Sequence, residues 1–590
     1  MSNQGGAIMR KILFVILILF LFTGTFWGAE LKYKDQMLER LMEEVPKILG
    51  KYDPQTGRFG EGIWICQDQN AMFPLAVAYS RKAPGNKYYK DKNLLEAIMK
   101  AGDALIEDMD KNGQWEFRKK DGSTWGPIFM PWTYSRWIRT YLLVKDDMPA
   151  PRRDEWVKAL TLGYTGISKK ELEKVHNIPV HHAMGLYFAG KALDKPQWCG
   201  QAAEFLMKAV GEQSEAGYWA EGEGPVVAYN YVYIDALGAY YSASRDARVL
   251  PALRKGALFH SHFTYPTGQL VETIDQRNPY KNSVNPGNVG FSFTPEGRAY
   301  LLSQWEKYGR KKLSADLAAS LVEHGEEGEA ADALTGAKEE TFVVREHGAS
   351  KAAILRRGPW FICLSAYTTP IIDSRWIQDR QNLFSIYHEK TGLILGGGNT
   401  KLQPAWSNFT VGDMNLLKHT PGDTAPGFFP KGEMYHIPTT STLVQDPALG
   451  LDLLYGPEKC AVRVFLKSDR LLEYEIETAG LSKLPVIAHL TLIPRKGETI
   501  ETGGGRKFVL GESKKELSPK ELGGSLTYAG YRLTVPETAS LHWPMLPHDP
   551  YKKDGAAEPF QGLIEIRIPF DTLHKKHRVI LEIQEKSAPR

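Results

Sequence analysis

Cysteine is scarce in this chain, with four residues (Cys66, Cys199, Cys363 and Cys460) among 590. Their wide scatter matches neither a disulfide framework nor the close spacing of a metal site, so they read as isolated buried thiols. Charge of one sign is also missing. Lys and Arg number 73 against 69 Asp and Glu, a net +4, and the basic residues form no tail or patch. That balance excludes a nucleic-acid partner and stays compatible with an acidic substrate. Beyond the first thirty residues no apolar run reaches the roughly 18 residues of a membrane span, so no membrane-spanning segment is expected after leader removal. The glycine triplet Gly396-Gly397-Gly398 lacks the Lys-Ser/Thr and helix of a phosphate loop. It marks close backbone packing beside a cleft.

The N-terminus shows a leader pattern. Arg10 and Lys11 precede an unbroken apolar run from Ile12 to Phe22, and small and polar residues follow from Thr23 to Ala29. A basic start, a short apolar stretch and a small-residue end form a signal peptide over 1–29, which predicts a secreted or periplasmic protein. The length exceeds what one hydrophobic core can serve, and 43% hydrophobic with 24% charged residues is ordinary globular composition, so two large domains are expected.

The period of the apolar pattern divides the mature chain. Leu94, Ile98, Ala101, Leu105 and Met109 step by three and four, as do Ala202, Phe205, Leu206 and Ala209. That spacing is helical. Between such runs lie stretches rich in Gly, Pro, Asn and Asp, notably 53–60, 111–126 and 211–224. Successive helical hairpins over residues 30–323 close most economically into an incomplete (α/α) toroid with long loops over a groove. An acidic, Gly/Ala-rich linker is placed at 324–341. Over 342–590 the period becomes two, as in Val462, Val464 and Leu466, then Leu472, Tyr474 and Ile476, then Ile564, Ile566 and Ile568, then Val579, Leu581 and Ile583. Many short alternating strands predict an antiparallel β-sandwich. The expected class is therefore an α+β multidomain chain.

Tryptophan is plentiful at 14 residues, and Trp115, Trp125, Trp132 and Trp137 fall close together. Aromatic faces stack on the C–H faces of sugar rings, so a Trp-rich region in an exported protein suggests glycan binding, with part of it serving the core. Four segments carry candidate chemistry. His176-Asn177-Ile178-Pro179-Val180-His181-His182 opens a helix, where N–H groups and the dipole favour an anion. Tyr218-Trp219-Ala220-Glu221-Gly222-Glu223-Gly224 runs into a helix bearing Tyr229, Tyr231 and Tyr233, which cannot all face one side. Arg277 can pair with a substrate carboxylate or with Asp275. His388, on a strand, can point across the domain interface into the toroid.

Together these segments resemble the heparinase II/III-like and alginate-lyase-like polysaccharide lyases, which join an α/α toroid to a β-sandwich. The resemblance covers nearly the whole mature chain in architecture and only short motifs in sequence. It implies β-elimination at a uronic acid of an acidic polysaccharide or oligosaccharide. Asn177 with His181 or His182 would neutralise the carboxylate, assisted by Arg277 or His388, and Tyr231 would move the protons. Here Tyr231 is followed by Val232 instead of the family's Gly, so Tyr229 or Tyr233 can take that role, and Asn177 is followed by Ile178 instead of Trp. Tyr229, Glu223, Trp132 and Trp219 complete the expected substrate-binding set with Arg277. No redox or organic cofactor is needed. The resemblance allows a structural divalent metal in the sandwich, though no ligand spacing demands one. Two other readings compete. A glycoside hydrolase on the same toroid would use carboxyl pairs among Asp68, Glu221, Glu223 and Asp275. A non-catalytic surface protein would only bind the glycan.

Overall fold

The computed structural model describes residues 30–332 and 339–585. The expected signal peptide lies outside the described residues, as does the middle of the expected linker. Among the described residues eleven α-helices fill the first part: α1 Lys34–Leu49, α2 Met72–Ser80, α3 Lys92–Glu107, α4 Pro131–Val144, α5 Ala150–Lys170, α6 Asn177–Ala192, α7 Pro196–Gly211, α8 Val227–Ser244, α9 Leu250–His262, α10 Pro295–Tyr308 and α11 Ala315–His324. Helices α2, α4, α6 and α8 pack in succession, and α11 returns to α2. These inner helices are apolar on nearly every side. Every residue of α2 from Met72 to Tyr79 is buried, as are Val180 to Leu186 of α6. Helix α3 lies outside and buries one stripe, including Leu94, Ile98, Ala101 and Leu105. A helix buried all round must sit inside another layer, whereas an amphipathic one can form the rim. The toroid follows from that difference.

The second part is the expected sandwich. Among the described residues it has an eleven-stranded and a nine-stranded sheet. Val462, Val464, Tyr474, Ile476, Ile564, Ile566, Val579 and Leu581 all lie in the core between the sheets. The strand Trp360–Ser365 is buried on both faces. Its even residues Trp360, Ile362 and Leu364 enter the sandwich core, while Phe361 and Cys363 join a second cluster with Tyr218, Val227, Phe259, Phe263 and Tyr265 of the helical part. The larger sheet therefore has a toroid on its outer face, and its strands lose the polar alternation of a solvent-facing sheet.

Polar contacts complete this seam. The segment 271–280, after α9, lies along 378–400 of the sandwich. Arg380 Nη1 donates to the Ile274 carbonyl at 2.9 Å, Asn399 Nδ2 to the Asp275 carbonyl at 2.9 Å, and the Tyr280 N–H to the Gly397 carbonyl at 3.0 Å. The glycine triplet is what permits this approach. A Cβ on Gly396 would lie 2.6 Å from Glu272 Oε1, and one on Gly398 would lie 3.0 Å from Pro279 Cα. All three glycines also have φ between +87° and +131°, which side chains resist.

Glu272 gives the seam a pH dependence. Its carboxylate accepts from the Gly397 N–H at 3.1 Å and from Tyr265 Oη–H at 2.9 Å, and it is 3% exposed. Burial pushes the carboxyl up from 4.5 to about 7. The folded state then holds a proton that the unfolded chain has released between those values, so this contribution to stability is full below pH 4.5 and is lost as pH rises towards 7. The difference corresponds to about 3 kcal/mol at most. Melting temperatures of wild type and Glu272→Gln, measured from pH 4.5 to 8, should diverge, with the wild type losing ground as pH rises. Parallel curves would remove Glu272 as the cause.

Candidate functional site

The N-terminal ends of α4, α6 and α8 lie side by side, facing the loops that enter from the sandwich. Trp132 of α4 meets His181 of α6 edge-on at 4.5 Å. At the start of α6, the Asn177 N–H and Nδ2 donate to Glu221 Oε1 and Oε2 at 2.8 and 2.7 Å, and Tyr233 of α8 donates to Glu221 Oε1 at 2.5 Å. A carboxylate of the chain's own thus occupies the helix N-terminus, where N–H groups and dipole favour it. These contacts tie the glycine-rich loop to two helices.

In the first turn of α8, Tyr229 stands in a cluster drawn from both domains. Its Oη lies 2.8 Å from Tyr551 Oη, on the loop between the strands Ser540–Met545 and Leu563–Pro569. The Arg277 guanidinium lies over Tyr229 at 4.5 Å, Trp376 at 5.0 Å and Tyr551 at 5.6 Å. Trp376 packs on Trp125 at 5.1 Å, and Arg375 lies over Trp125 at the same distance. Arg375 Nη2 also donates to the Lys552 and Lys553 carbonyls, which fixes the loop carrying Tyr551. Lys119 and Lys553 approach Tyr551 and Trp125. The result is an aromatic wall with several cations and two phenols in contact.

Asp275 sets the position of Arg277 without neutralising it. Its Oδ1 accepts from the backbone N–H groups of Arg277 and Asn278 at 2.8 and 2.7 Å, and its Oδ2 from the Ala228 N–H at 3.3 Å, so it caps α8 and shapes the turn. Among the described residues the Arg277 guanidinium makes no ion pair, and its buried Nε has no hydrogen-bond partner. Guanidinium next to aromatic faces keeps its charge and its donors for a planar anion. Burial raises the Tyr229 phenol far above its ordinary value, Tyr551 adds to the rise, and Arg277 opposes it. The phenol is protonated at neutral pH.

The other residues singled out in the sequence lie elsewhere. Tyr231 points into the toroid core, its Oη 2.5 Å from Tyr300 Oη and its ring 4.2 Å from His260. The helical rotation between 229 and 231 sends their side chains to different faces. Tyr233 stacks on Trp219, whose Nε1 donates to the Ala209 carbonyl, so Trp219 is core. His181 Nε2 lies 2.8 Å from Ser135 Oγ, and burial, then Arg136 and Arg139, lower its pKa. Burial drives His182 down to about 3. Held neutral, neither ring brings positive charge to a carboxylate. Trp132 is half-buried beside them, and the exposed Glu223 projects from the loop, its N–H donating to Gln276 Oε1 at 3.2 Å.

The expectation that His388 crosses into the toroid is corrected by strand parity. On Phe384–His388 the odd residues face the helices, with Ser385 Oγ accepting from Thr273 and Tyr387 stacked on Tyr265. His388 shares the opposite face with Phe384 and Ile386. It packs on Trp360 at 4.6 Å, pairs through Nε2 with the Asp469 carbonyl at 3.0 Å, and accepts the Lys390 N–H. Among the described residues no group of three or more His, Cys, Asp or Glu is arranged to hold a metal ion, and no helix is long and apolar enough to cross a membrane.

Trp376, Arg375 and Tyr551, with the flanking Lys119 and Lys553, are the cluster members that sequence reasoning missed. The available signal was weak: aromatic and basic residues inside turn-rich polar loops, Asp373-Ser374-Arg375-Trp376 and Asp549-Pro550-Tyr551-Lys552-Lys553-Asp554.

No family model matches the chain, and no curated protein matches it in sequence. Solved structures do match in fold. A Paenibacillus xanthan lyase aligns at TM-score 0.55 and 10% identity, over 94% of this chain and 57% of that one. Chondroitin AC lyase of Streptomyces coelicolor A3, in complex with chondroitin sulphate, aligns at 0.51 and 12%, over 94% and 80%. Heparinase III aligns at 0.51 and 13%, over 88% and 76%. The chain shares with them the toroid-plus-sandwich fold.

Proposed function

We propose that the chain is an exported polysaccharide lyase, secreted or periplasmic, that cleaves an acidic glycan by β-elimination at a uronic acid. The observation that carries this reading is Arg277, a cation without a carboxylate partner set against two phenols in contact. The likeness to lyases of xanthan, chondroitin and heparin in fold supports it as an analogy, and the site supports it by chemistry.

In this reading the uronate carboxylate docks on Arg277, whose charge stabilises the enolate-like species formed when the C5 proton leaves. Tyr229 then works from its protonated state. Its oxygen accepts the C5 proton while its own proton passes to the leaving glycosidic oxygen. The C5–H and C4–O bonds break, a C4–C5 double bond forms, and Tyr229 ends neutral as it began. Tyr551 donates a hydrogen bond to the Tyr229 oxygen as charge builds on it. Asn177, Glu221 and Tyr233 hold the loop beside it. Trp125 and Trp376 offer stacking faces for neighbouring sugars.

The hydrolase reading is weakened by the carboxylates themselves. Glu221 is spent on Asn177 and Tyr233, Asp275 on backbone N–H groups, and Asp68 on Lys120 and the Ile65 N–H. Of the four candidates only Glu223 stays uncommitted, and that chemistry needs two. Incubation with chondroitin sulfate, heparan sulfate, xanthan and alginate should produce the ultraviolet absorbance of an unsaturated uronide with at least one of them. Chain shortening without that absorbance would replace elimination by hydrolysis.

A further inference from the structure

We infer that the seam between toroid and sandwich carries a second stretch of glycan-binding groove, running from Arg277 and Tyr551 to Arg495, for the acidic chain beyond the residue being cleaved. The inference rests on the lyase reading for its substrate and on separate observations for its location. Two cavities line the seam. One, of about 220 Å³, is bordered by Arg277, Lys281 and Tyr551. The other, of about 400 Å³, is bordered by Gln269, Asn282, Trp406 and Arg495. Both include Pro279, Tyr280, Phe560 and Gln561 in their walls, so they adjoin there along the seam.

The lining has the chemistry of a sugar site. Tyr280 and Phe560 give partly exposed ring faces, and Gln269, Asn282 and Gln561 give amides that both donate and accept. Cations stand in and beside its walls. Lys281 is exposed, Lys496 lies 5.5 Å over the Phe560 ring, and Arg495 gives one N–H to the Thr391 carbonyl. Lys496 pairs with Glu512. Lys281 and Arg495 make no ion pair among the described residues. The floor is preformed, because Gly397 lines the second cavity and its carbonyl holds Tyr280 in place. A Cβ there would lie 2.7 Å from Leu563, so the glycine lets the backbone pack closely against that side chain. Two adjoining concave cavities with cations and ring faces in and beside their walls fit a linear polyanion of sugars.

The test measures affinity against chain length. Size-fractionated oligosaccharides of chondroitin sulfate, heparan sulfate, xanthan and alginate, from two to ten sugars or repeat units as available, are titrated against the full chain by calorimetry. For at least one glycan the wild type should bind long chains about tenfold more tightly than the shortest, the value of one good charge-assisted contact. Arg495→Glu and Lys281→Glu should each flatten that dependence. Arg495 sits against Thr391 and could unsettle the fold on replacement, so the exposed Lys281 provides the independent arm, with melting temperature recorded for both. Length dependence that persists in Lys281→Glu and in a folded Arg495→Glu overturns the groove, as does a wild type that binds long and short chains alike for all four glycans. The two readings separate cleanly. Length-dependent binding that both charge reversals abolish, without absorbance gain, keeps the groove and removes the lyase. Absorbance gain without length dependence keeps the lyase and removes the groove.

Discussion

Tyr229→Phe should lower turnover by at least about 100-fold on whichever glycan shows absorbance gain, with little change in affinity, since positioned proton transfer contributes 10²–10⁴-fold. The variant keeps the ring beneath Arg277 and loses only the oxygen that meets Tyr551 at 2.8 Å. Substrate docking on the guanidinium should survive while the proton relay does not. Tyr231→Phe is the matched control from two residues away. Its hydroxyl meets Tyr300 inside the toroid. Losing that bond should cost about 1 kcal/mol of stability, read as a lower melting temperature, with turnover kept within a fewfold. If Tyr231→Phe abolished turnover and Tyr229→Phe did not, the relay would belong to the buried tyrosine and the interdomain cluster would lose its role. A protein that only binds glycan predicts no turnover in either variant and unchanged affinity in both.

The contrast between these tyrosines also marks how far the sequence could be read. The change of period from 3–4 to 2 was visible in runs such as Leu94–Leu105 and Val462–Leu466, because burial on one face writes itself directly into the order of residues. The glycine triplet was legible for the same local reason, since its backbone must pass close to Glu272 and Pro279. Choosing among Tyr229, Tyr231 and Tyr233 was a different problem. Their helical rotation says that they diverge, but which of them faces the cleft depends on where α6, α9 and the sandwich loops stand. Strand parity posed the same problem for His388, whose neighbours Phe384 and Ile386 fix its face once the sandwich core is known. Tyr551 was the hardest to foresee. It reaches Tyr229 across 322 residues of sequence, through a loop whose placement Arg375 and Trp125 settle. No local pattern reports a contact of that kind. The His181-His182 pair was conspicuous in sequence because of its composition, yet its burial, with His181 against the Trp132 ring, is a property of the assembled ring that composition does not carry.

Arg277→Ala should reduce kcat by about 10²–10³, the loss seen when one preorganised stabilising donor is removed from a developing anion. The geometry makes this larger than an ordinary surface substitution. Other cations in the toroid are held by carboxylates, as Arg136 is by Asp316 and Arg152 by Asp103. Arg277 has aromatic faces, and its turn is maintained by Asp275 through backbone N–H groups that the substitution leaves in place. The fold should therefore persist while the charge disappears. Arg277→Lys adds a second measure. A lysine returns the charge as a point and forfeits the planar fork and its stacking between Tyr229 and Trp376, so it should recover only part of the loss. Affinity separates two roles for the residue. If Arg277 bound ground state and transition state equally, the alanine variant would show a raised KM at unchanged kcat. A fall in kcat that exceeds the rise in KM places its charge on the intermediate, where elimination next to a carboxylate requires it.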